Sequence, residues 1–404
     1  MKLLICLLPL LAQAMADDAS TQKLLVDGNN QFTAKLFSEV AKNNVGKSVV
    51  MSGFSALSPL AQLGLASVGD SHDEILKTIG MPNDEATKDA FTLVNGNLRS
   101  AKGVELKVAN RIYIPNNGEL NGTFAQMSRD VFSSDVKNVD FAKNVEAAAA
   151  INAWVEDNTN KRIKDLVSPD SLGEDTRAVL VNAIYFKGTW EEQFDKALTK
   201  DKDFHVSKDK TIQVPTMFKN GNFKYGTSQE LDAQLLELYY EGGDSAFLIV
   251  LPNKIDGLTE LEEKIKDPSA LAKAVENMYN TDVDVFLPKF KIETTIDLKD
   301  VLLKIGVTKL FSPKDARLEY LLKGEGDGLY VSNAIQKAFI EVNEEGAEAA
   351  AASAFGSRII GGKTPTFKAE KPFLFYLTYY TVPLFNGRFI LLERYRITKV
   401  HAQD

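Results

Sequence analysis

An alanine-rich run near the C-terminal end constrains this chain more than any other feature. Residues 344–354 read EEGAEAAAASA, and helix propensity alone predicts a helix there. The same composition also suits a segment that must fit as a strand between two existing strands, where only small side chains avoid clashes. Strand spacing then puts two sets of residues on opposite faces, Ala347, Ala349, Ala351 and Ser353 against Glu348, Ala350 and Ala352. The run by itself leaves both interpretations open.

The first sixteen residues predict an export signal. Lys2 precedes the apolar run 3–11, and small residues up to Ala16 suit a signal peptidase. The apolar run is too short for a membrane helix, which needs about 20 apolar residues. We therefore expect residues 1–16 to be removed and residues 17–404 to form one domain of a secreted, extracellular protein without a membrane span.

Cys6 is the only cysteine and lies inside this leader, so the exported chain would have no thiol for a disulfide or a metal site. Burial must then stabilise the fold, and 44% hydrophobic residues allow a large core. The net charge of -8, without a concentrated basic stripe, argues against nucleic acid as a partner. Asn121 begins an Asn-Gly-Thr sequon, which export would make available for glycosylation, although an unmodified surface turn fits equally well.

A secreted hydrolase is a poor interpretation of this sequence. A Ser-His-Asp site needs a histidine beside its nucleophile. The chain has three histidines, His72, His205 and His401, and none accompanies a nucleophile motif. Their spacing does not suggest metal ligands either. We therefore expect no enzymatic activity, no cofactor and no bound metal.

Hydrophobic spacing predicts helices in the first third of the chain and strands in the remainder. Helical spacing covers residues 28–42, 71–79 and 145–167. Ser71 and Glu74 resemble a capping box that opens the second of these helices. Strands are predicted over residues 104–114, 178–185, 235–240, 246–251 and 283–290. Without a linker or a repeat, the pattern indicates one α+β domain.

Several separated motifs are similar to those of the serpin family, and together they span nearly all of the mature chain. They are INAWVE at 151–156, NAIYFKGTW at 182–190, FLPKFKIE at 286–293, the alanine-rich run, KPFLF at 371–375 and PLFNGR at 383–388. The resemblance is to secreted inhibitory serpins, similar to the insect antitrypsin-like members. It implies three β-sheets, eight or nine helices and an exposed reactive loop at about residues 344–371.

The resemblance also implies a mechanism. A secreted serine protease cleaves the loop, and the hinge side inserts into the main sheet as a new central strand that drags the acylated protease with it. The protein thus acts as a suicide substrate, works as a monomer and needs no cofactor. Non-inhibitory members tend to carry charged, bulky or proline residues in the hinge, and this hinge has none on its inward face. A carrier or binding protein that has lost inhibition is the alternative.

Roles for individual residues follow from the same resemblance. The hinge comprises Glu344, Gly346, Ala347, Glu348, Ala349, Ala350, Ala351, Ala352 and Ser353. The polar network of the shutter and breach, which govern opening of the main sheet, comprises Ser52, Ser55, Asn182, Trp190 and Gln336. The chain departs from the family at Gly53, where a proline is usual, and at Gln336, where many members have a histidine. The amide of Gln336 can still donate and accept hydrogen bonds. We therefore expect a changed free energy for opening the main sheet and an intact inhibitory mechanism.

Two bonds compete as the reactive bond. Counting roughly seventeen residues from Glu344, as in typical inhibitory members, gives Ile360-Gly361 and favours elastase-like targets. The run SRIIGG at 357–362 instead resembles the activation sequence of trypsin-like zymogens, which are cut after the basic residue. That comparison gives Arg358-Ile359 and favours trypsin-like targets. Lys363 is a weaker third candidate.

Overall fold

The computed structural model describes residues 3–99, 104–324, 328–345, 364–380 and 382–390. Side chains are described from residue 19 onward, except at 97–99. The described part contains nine α-helices, which are α1 Leu3–Asn43, α2 Gly53–Ala66, α3 Gly69–Ile79, α4 Asp84–Arg99, α5 Gly122–Phe132, α6 Asn144–Asn158, α7 Leu258–Lys264, α8 Pro268–Glu276 and α9 Leu298–Lys304. Among these helices, none is both long and apolar enough to cross a membrane.

Fourteen strands run between and after the helices in the described residues. They are β1 Val49–Met51, β2 Val104–Pro115, β3 Asp135–Val139, β4 Ala178–Gly188, β5 Lys200–Ser207, β6 Lys210–Ser228, β7 Ala233–Tyr239, β8 Ser245–Pro252, β9 Tyr279–Pro288, β10 Phe290–Asp297, β11 Val331–Val342, β12 Thr366–Lys368, β13 Phe373–Tyr379 and β14 Val382–Phe389. The predicted order of helices first and strands later is confirmed.

The helix predicted over 71–79 exists, but its capping box is wrong. The helix begins at Gly69, and Val68 precedes it without a side-chain cap. Ser71 is buried inside the helix, where its hydroxyl has no partner among the described residues. Glu74 accepts hydrogen bonds from the backbone N–H groups of Thr308 and Lys309, at 2.5 and 2.8 Å. Glu74 therefore binds the backbone at residues 308 and 309 to α3.

The helix predicted over 145–167 is shorter than expected, because α6 ends at Asn158. Asn160 and Lys161 adopt φ values of 51° and 60°, in the left-handed region that an α-helix cannot contain. The Thr159 hydroxyl bonds to the Val155 carbonyl and accepts from the Ile163 N–H, which turns the chain back toward the sheet.

The sheets take the arrangement that the serpin resemblance predicts. The main sheet has five strands in the order β10-β11-β4-β2-β3, with β4 and β11 side by side and parallel. The other nine strands form one hydrogen-bonded sheet in the order β1-β14-β13-β8-β7-β6-β9-β12, with β5 paired to β6. The second and third sheets that the resemblance implies are therefore joined through β6, which pairs with β9 over Thr216–Tyr225 and with β7 over Lys224–Ser228.

The main sheet is covered on both faces, which explains why β4 reads as a continuous apolar run. Helix α6 packs its buried residues Ala147, Ala148, Ile151 and Val155 across β2 and β4. Helix α2, buried along its whole length, contacts the opposite face together with β14. The core therefore lies on either side of the junction between β4 and β11.

Candidate functional site

The candidate site is centred on the junction between β4 and β11. The two strands pair in parallel from Ala178 opposite Val331 to Phe186 opposite Ile340. Beyond Val342, β11 continues into residues 343–345, and the chain is described again from residue 364, just before β12. The hinge from Gly346 onward and both proposed bonds, Arg358-Ile359 and Ile360-Gly361, lie outside the described residues.

A buried polar network crosses this junction near its midpoint. Asn182 of β4 and Gln336 of β11 are direct Cα partners, and both are fully buried. The Gln336 Nε2 group donates to the Asn182 Oδ1 atom at 2.5 Å and to the Ser52 carbonyl at 2.8 Å. The Gln336 Oε1 atom accepts from the Ser52 N–H at 3.0 Å. One glutamine side chain thereby ties β11 to β4 and to the start of α2.

Ser52 and Ser55 join the network from the N-terminus of α2. The Ser52 hydroxyl caps the helix by accepting from the Ser55 N–H at 2.9 Å, and it donates to the Leu384 carbonyl at 2.5 Å. The Asn182 Nδ2 group lies 2.6 Å from the Ser55 hydroxyl and 2.9 Å from its carbonyl. Four of the five residues proposed for the shutter and breach therefore form one connected cluster.

Asn110 is a member of this cluster that the sequence did not reveal. It lies opposite Asn182 in the β2–β4 ladder, and the two amide side chains are hydrogen bonded to each other. Asn110 also donates to the Ser55 carbonyl at 3.4 Å, and its own carbonyl accepts from the Ser134 hydroxyl at 3.1 Å. Only the strand register could have identified it, since it has no motif of its own.

Gly53 departs from the family pattern for a reason visible in the packing. A Cβ atom at this position would lie 2.0 Å from the Thr33 hydroxyl of α1. Thr33 is buried and its hydroxyl donates to the Asn29 Oδ1 atom at 3.3 Å. Asn29 in turn donates to the Pro383 carbonyl at 3.0 Å. The glycine allows α1 and α2 to approach closely beside the network.

Trp190 lies apart from the network, at the end of the junction where β11 ends. Its ring is buried and stacks on Tyr240 with a centroid distance of 4.4 Å. Its Nε1–H group donates to the Asn343 carbonyl at 2.7 Å. The tryptophan therefore holds the chain where it leaves β11.

Glu344, the first hinge residue, is the only predicted hinge position within the described residues. Its side chain is 5% exposed and pairs with Lys289 at 2.7 Å. Its Oε1 atom also accepts from the Thr199 hydroxyl at 2.8 Å. Burial alone would raise the pKa of Glu344, but these hydrogen bonds outweigh burial and hold the pKa below its usual value. The carboxylate is therefore a fixed anchor at neutral pH.

Asn121 is half-buried at the start of α5. Its Oδ1 atom caps the helix by accepting from the N–H groups of Thr123 and Phe124, at 3.0 and 3.4 Å. Gly122 and Thr123, the other residues of the sequon, are exposed. Two of the three sequon residues are thus exposed, and the amide oxygen of Asn121 is engaged as the helix cap.

Comparison with known proteins gives the family. Residues 27–391 match the family model described as Serpin (serine protease inhibitor). The chain belongs to the serpin family. Alaserpin of Manduca sexta is 56% identical and antitrypsin of Bombyx mori 55% identical, each over 96% of this chain and all of the relative. The crystal structure of Serpin48 from the insect Tenebrio molitor superposes with a TM-score of 0.84 at 37% identity, covering 92% of this chain and 98% of that one.

Family membership confirms the serpin fold and the serpin resemblance. It also assigns the chain to a family of serine protease inhibitors, which are not catalytic enzymes. The shutter and breach roles of Ser52, Ser55, Asn182, Trp190 and Gln336, and the hinge role of Glu344, stay predictions.

Proposed function

We propose that this serpin is a secreted inhibitor that traps serine proteases as a suicide substrate. The observation that carries the proposal is the parallel junction of β4 and β11, with β11 leading directly into the small-residue hinge. A segment that leaves the end of β11 and folds back runs antiparallel to both strands. Its entry replaces one parallel pair by two antiparallel pairs, which adds ladder hydrogen bonds and the more stable pairing geometry.

The strand lengths bear on where the protease cuts. Strand β4 has 11 residues and β11 has 12. A strand that begins at Ala347 and ends at Arg358 has 12 residues and would already fill the junction. Cleavage at Ile360 adds two more. The hinge side is therefore long enough for either bond, and we retain Ile360-Gly361 with Arg358-Ile359 as the alternative.

The hinge composition supports inhibition over a carrier role. Insertion must bury alternate residues from Ala347 to Ser353, and each of these side chains is small. A charged or bulky residue at any of them would oppose burial. A non-inhibitory serpin that acts as a carrier or binding protein has no need of such a surface.

Incubation with a panel of serine proteases tests the mechanism and the bond together. We expect a covalent one-to-one complex that survives SDS, because the acyl bond outlasts denaturation once the protease has been distorted. The first residue of the released fragment identifies the bond, since Gly361 indicates cleavage after Ile360, Ile359 indicates cleavage after Arg358, and Thr364 indicates Lys363. Cleaved serpin without complex, across the whole panel, would instead favour the carrier role.

The Arg358→Ala variant separates the two specificities. If Arg358 enters the acidic pocket of a trypsin-like enzyme, its loss should reduce the trapping rate by at least two orders of magnitude. If the bond is Ile360-Gly361, trapping of elastase-like enzymes should be nearly unchanged.

We further propose that residues 1–16 are removed on secretion, that residues 17–404 fold as one monomeric domain, and that Asn121 carries a glycan. The intact mass of protein secreted by cultured cells, before and after glycosidase treatment, tests the first and last of these points. We expect an intact mass that corresponds to a chain starting at Asp17 with a glycan attached, and a lower mass after glycosidase treatment. Size-exclusion chromatography with light scattering tests the monomer.

A further inference from the structure

The chain leaving β11 is held by the connection between β4 and β5 at four points. Three are hydrogen bonds, from Trp190 Nε1 to the Asn343 carbonyl at 2.7 Å, from the Phe194 N–H to the Glu344 carbonyl at 3.0 Å and from the Thr199 hydroxyl to the Glu344 carboxylate at 2.8 Å. The fourth is an ion pair between Lys196 and Glu345. We call this ion pair the foot pair.

The two adjacent carboxylates lie in different environments. Glu344 is 5% exposed and its partner Lys289 is 38% exposed, so the carboxylate of this pair is shielded from water. The foot pair is accessible, with Lys196 66% exposed and Glu345 36% exposed. Such a pair is weak and is screened by salt, because the Debye length falls from about 8 Å at physiological ionic strength to about 3 Å at 1 M.

Insertion of the hinge requires the foot pair to change. Strand β11 ends at Val342, and an inserted antiparallel strand begins near Ala347, so residues 343–346 must become the turn that joins them. At present the Glu345 N–H group bonds to the Asn343 Oδ1 atom at 3.1 Å, and the Glu345 carboxylate points to Lys196 on the neighbouring connection. Residues 343–345 are thus held by contacts that the turn to an inserted strand would have to replace.

We propose that Lys196 is a positioning residue for loop insertion, because its ion pair with Glu345 restrains the hinge outside the sheet until the loop is cut. This role rests on the suicide-substrate mechanism proposed above. Lys196 contacts neither the protease nor the reactive bond, and it acts through Glu345. The restraint slows insertion slightly, and salt weakens it.

The fluorescence of Trp190 provides a direct measurement. The serpin has two tryptophans, so the substitution Trp154→Phe leaves Trp190 as its only one. Trp190 donates to the Asn343 carbonyl, close to the foot pair. Stopped-flow mixing with excess trypsin or elastase should show a first-order phase for insertion after acylation. This phase is independent of protease concentration, so salt effects on encounter do not enter.

In the Trp154→Phe protein, Lys196→Met should accelerate the insertion phase about two- to fivefold, the range that a surface ion pair can account for. The rate of this phase should rise between 0.05 and 1 M NaCl in the protein that retains Lys196, and it should stay constant over the same range in Lys196→Met. The charge exchange Lys196→Glu with Glu345→Lys should restore the original rate and its salt dependence. Lys208 forms a comparably exposed pair with Asp256 elsewhere, and Lys208→Met should have no effect.

Unchanged rates in Lys196→Met, or equal salt dependence with and without the lysine, would overturn this role while leaving the inhibitory mechanism in place. Failure of the unsubstituted serpin to form an SDS-stable complex with any protease would overturn both. Because Lys196 is exposed, the variant should fold normally, and an unchanged melting temperature of its loop-cleaved form provides the check.

Discussion

Replacing Gln336 by methionine tests the shutter most directly. The substitution keeps a similar volume and removes the amide that bonds to Ser52 and Asn182. The Ser52 carbonyl would keep the Ala56 N–H as its partner, but two fully buried groups, the Ser52 N–H and the Asn182 Oδ1 atom, would lose the partner that Gln336 provides. Each such loss costs about 1–3 kcal/mol, so we expect the uncleaved serpin to be destabilised by about 2–6 kcal/mol. That is a large fraction of the stability of a typical domain.

The loop-cleaved form should respond less to the same change. The Gln336–Asn182 bond directly crosses the junction, so an inserted strand must separate its two partners. Urea unfolding of the uncleaved and cleaved forms measures both losses. Gln213→Met is the matched control, because Gln213 is an exposed strand glutamine bonded to Asp203 alone among the described residues. Equal losses in the two forms, or a loss below about 0.5 kcal/mol in the uncleaved form, would refute this account.

Three further substitutions test other parts of the molecule. Ala347→Arg should convert the inhibitor into a substrate, because an unpaired buried charge costs several kcal/mol, whereas Ala350→Arg on the opposite face should raise the inhibitory stoichiometry far less. Gln62 is fully buried and neither of its amide atoms has a partner among the described residues, so Gln62→Met should raise the unfolding free energy by about 1–2 kcal/mol, and a decrease would show that the amide is satisfied. Lys289→Met should destabilise the protein at pH 7. The folded-state pKa of Glu344 is depressed, so the stability that its ion pair contributes is fully present above about pH 4.5 and is lost as the pH falls through the folded-state pKa. In acid unfolding curves, the difference in stability between Lys289→Met and the unsubstituted protein should therefore shrink as the pH falls below about 4.5.

Local periodicity predicted strands β2 and β4, but the burial expected for β2 is wrong. The alternating apolar residues of β2 predict one buried face, whereas Val108 is exposed and Ala109 and Tyr113 of the other face are buried, because α6 covers that face. The continuous apolar run of β4 agrees with its burial on both faces. The end of α6 was missed, since two polar residues in left-handed conformations carry no apolar signal. The start of α3 was missed because Glu74 satisfies backbone donors 234 residues away in sequence instead of its own helix terminus.

The shutter could be assigned from the resemblance, but its connectivity could not be derived from the sequence. Gln336 and Asn182 are 154 residues apart, and their contact depends on the parallel register of β11 on β4. No local pattern encodes that register, because β4 reads as one apolar run and β11 mixes polar and apolar residues without regular alternation. The amide at position 336 was expected to substitute for histidine. In the structure it engages three partner atoms, of which two belong to the backbone of Ser52.

Gly53 shows why a departure from a family pattern cannot be judged one position at a time. Taken alone, a glycine in place of proline suggests a looser start to α2, since glycine lacks the fixed φ of proline. The structure shows the opposite constraint, because the Thr33 hydroxyl occupies the space that any Cβ atom at position 53 would need. A proline also carries a Cβ atom, so it becomes compatible with this packing only if Thr33 is replaced by a smaller residue or α1 moves outward. Positions 33 and 53 therefore act as one feature, in which a hydroxyl on α1 fills the volume that proline would otherwise occupy on α2.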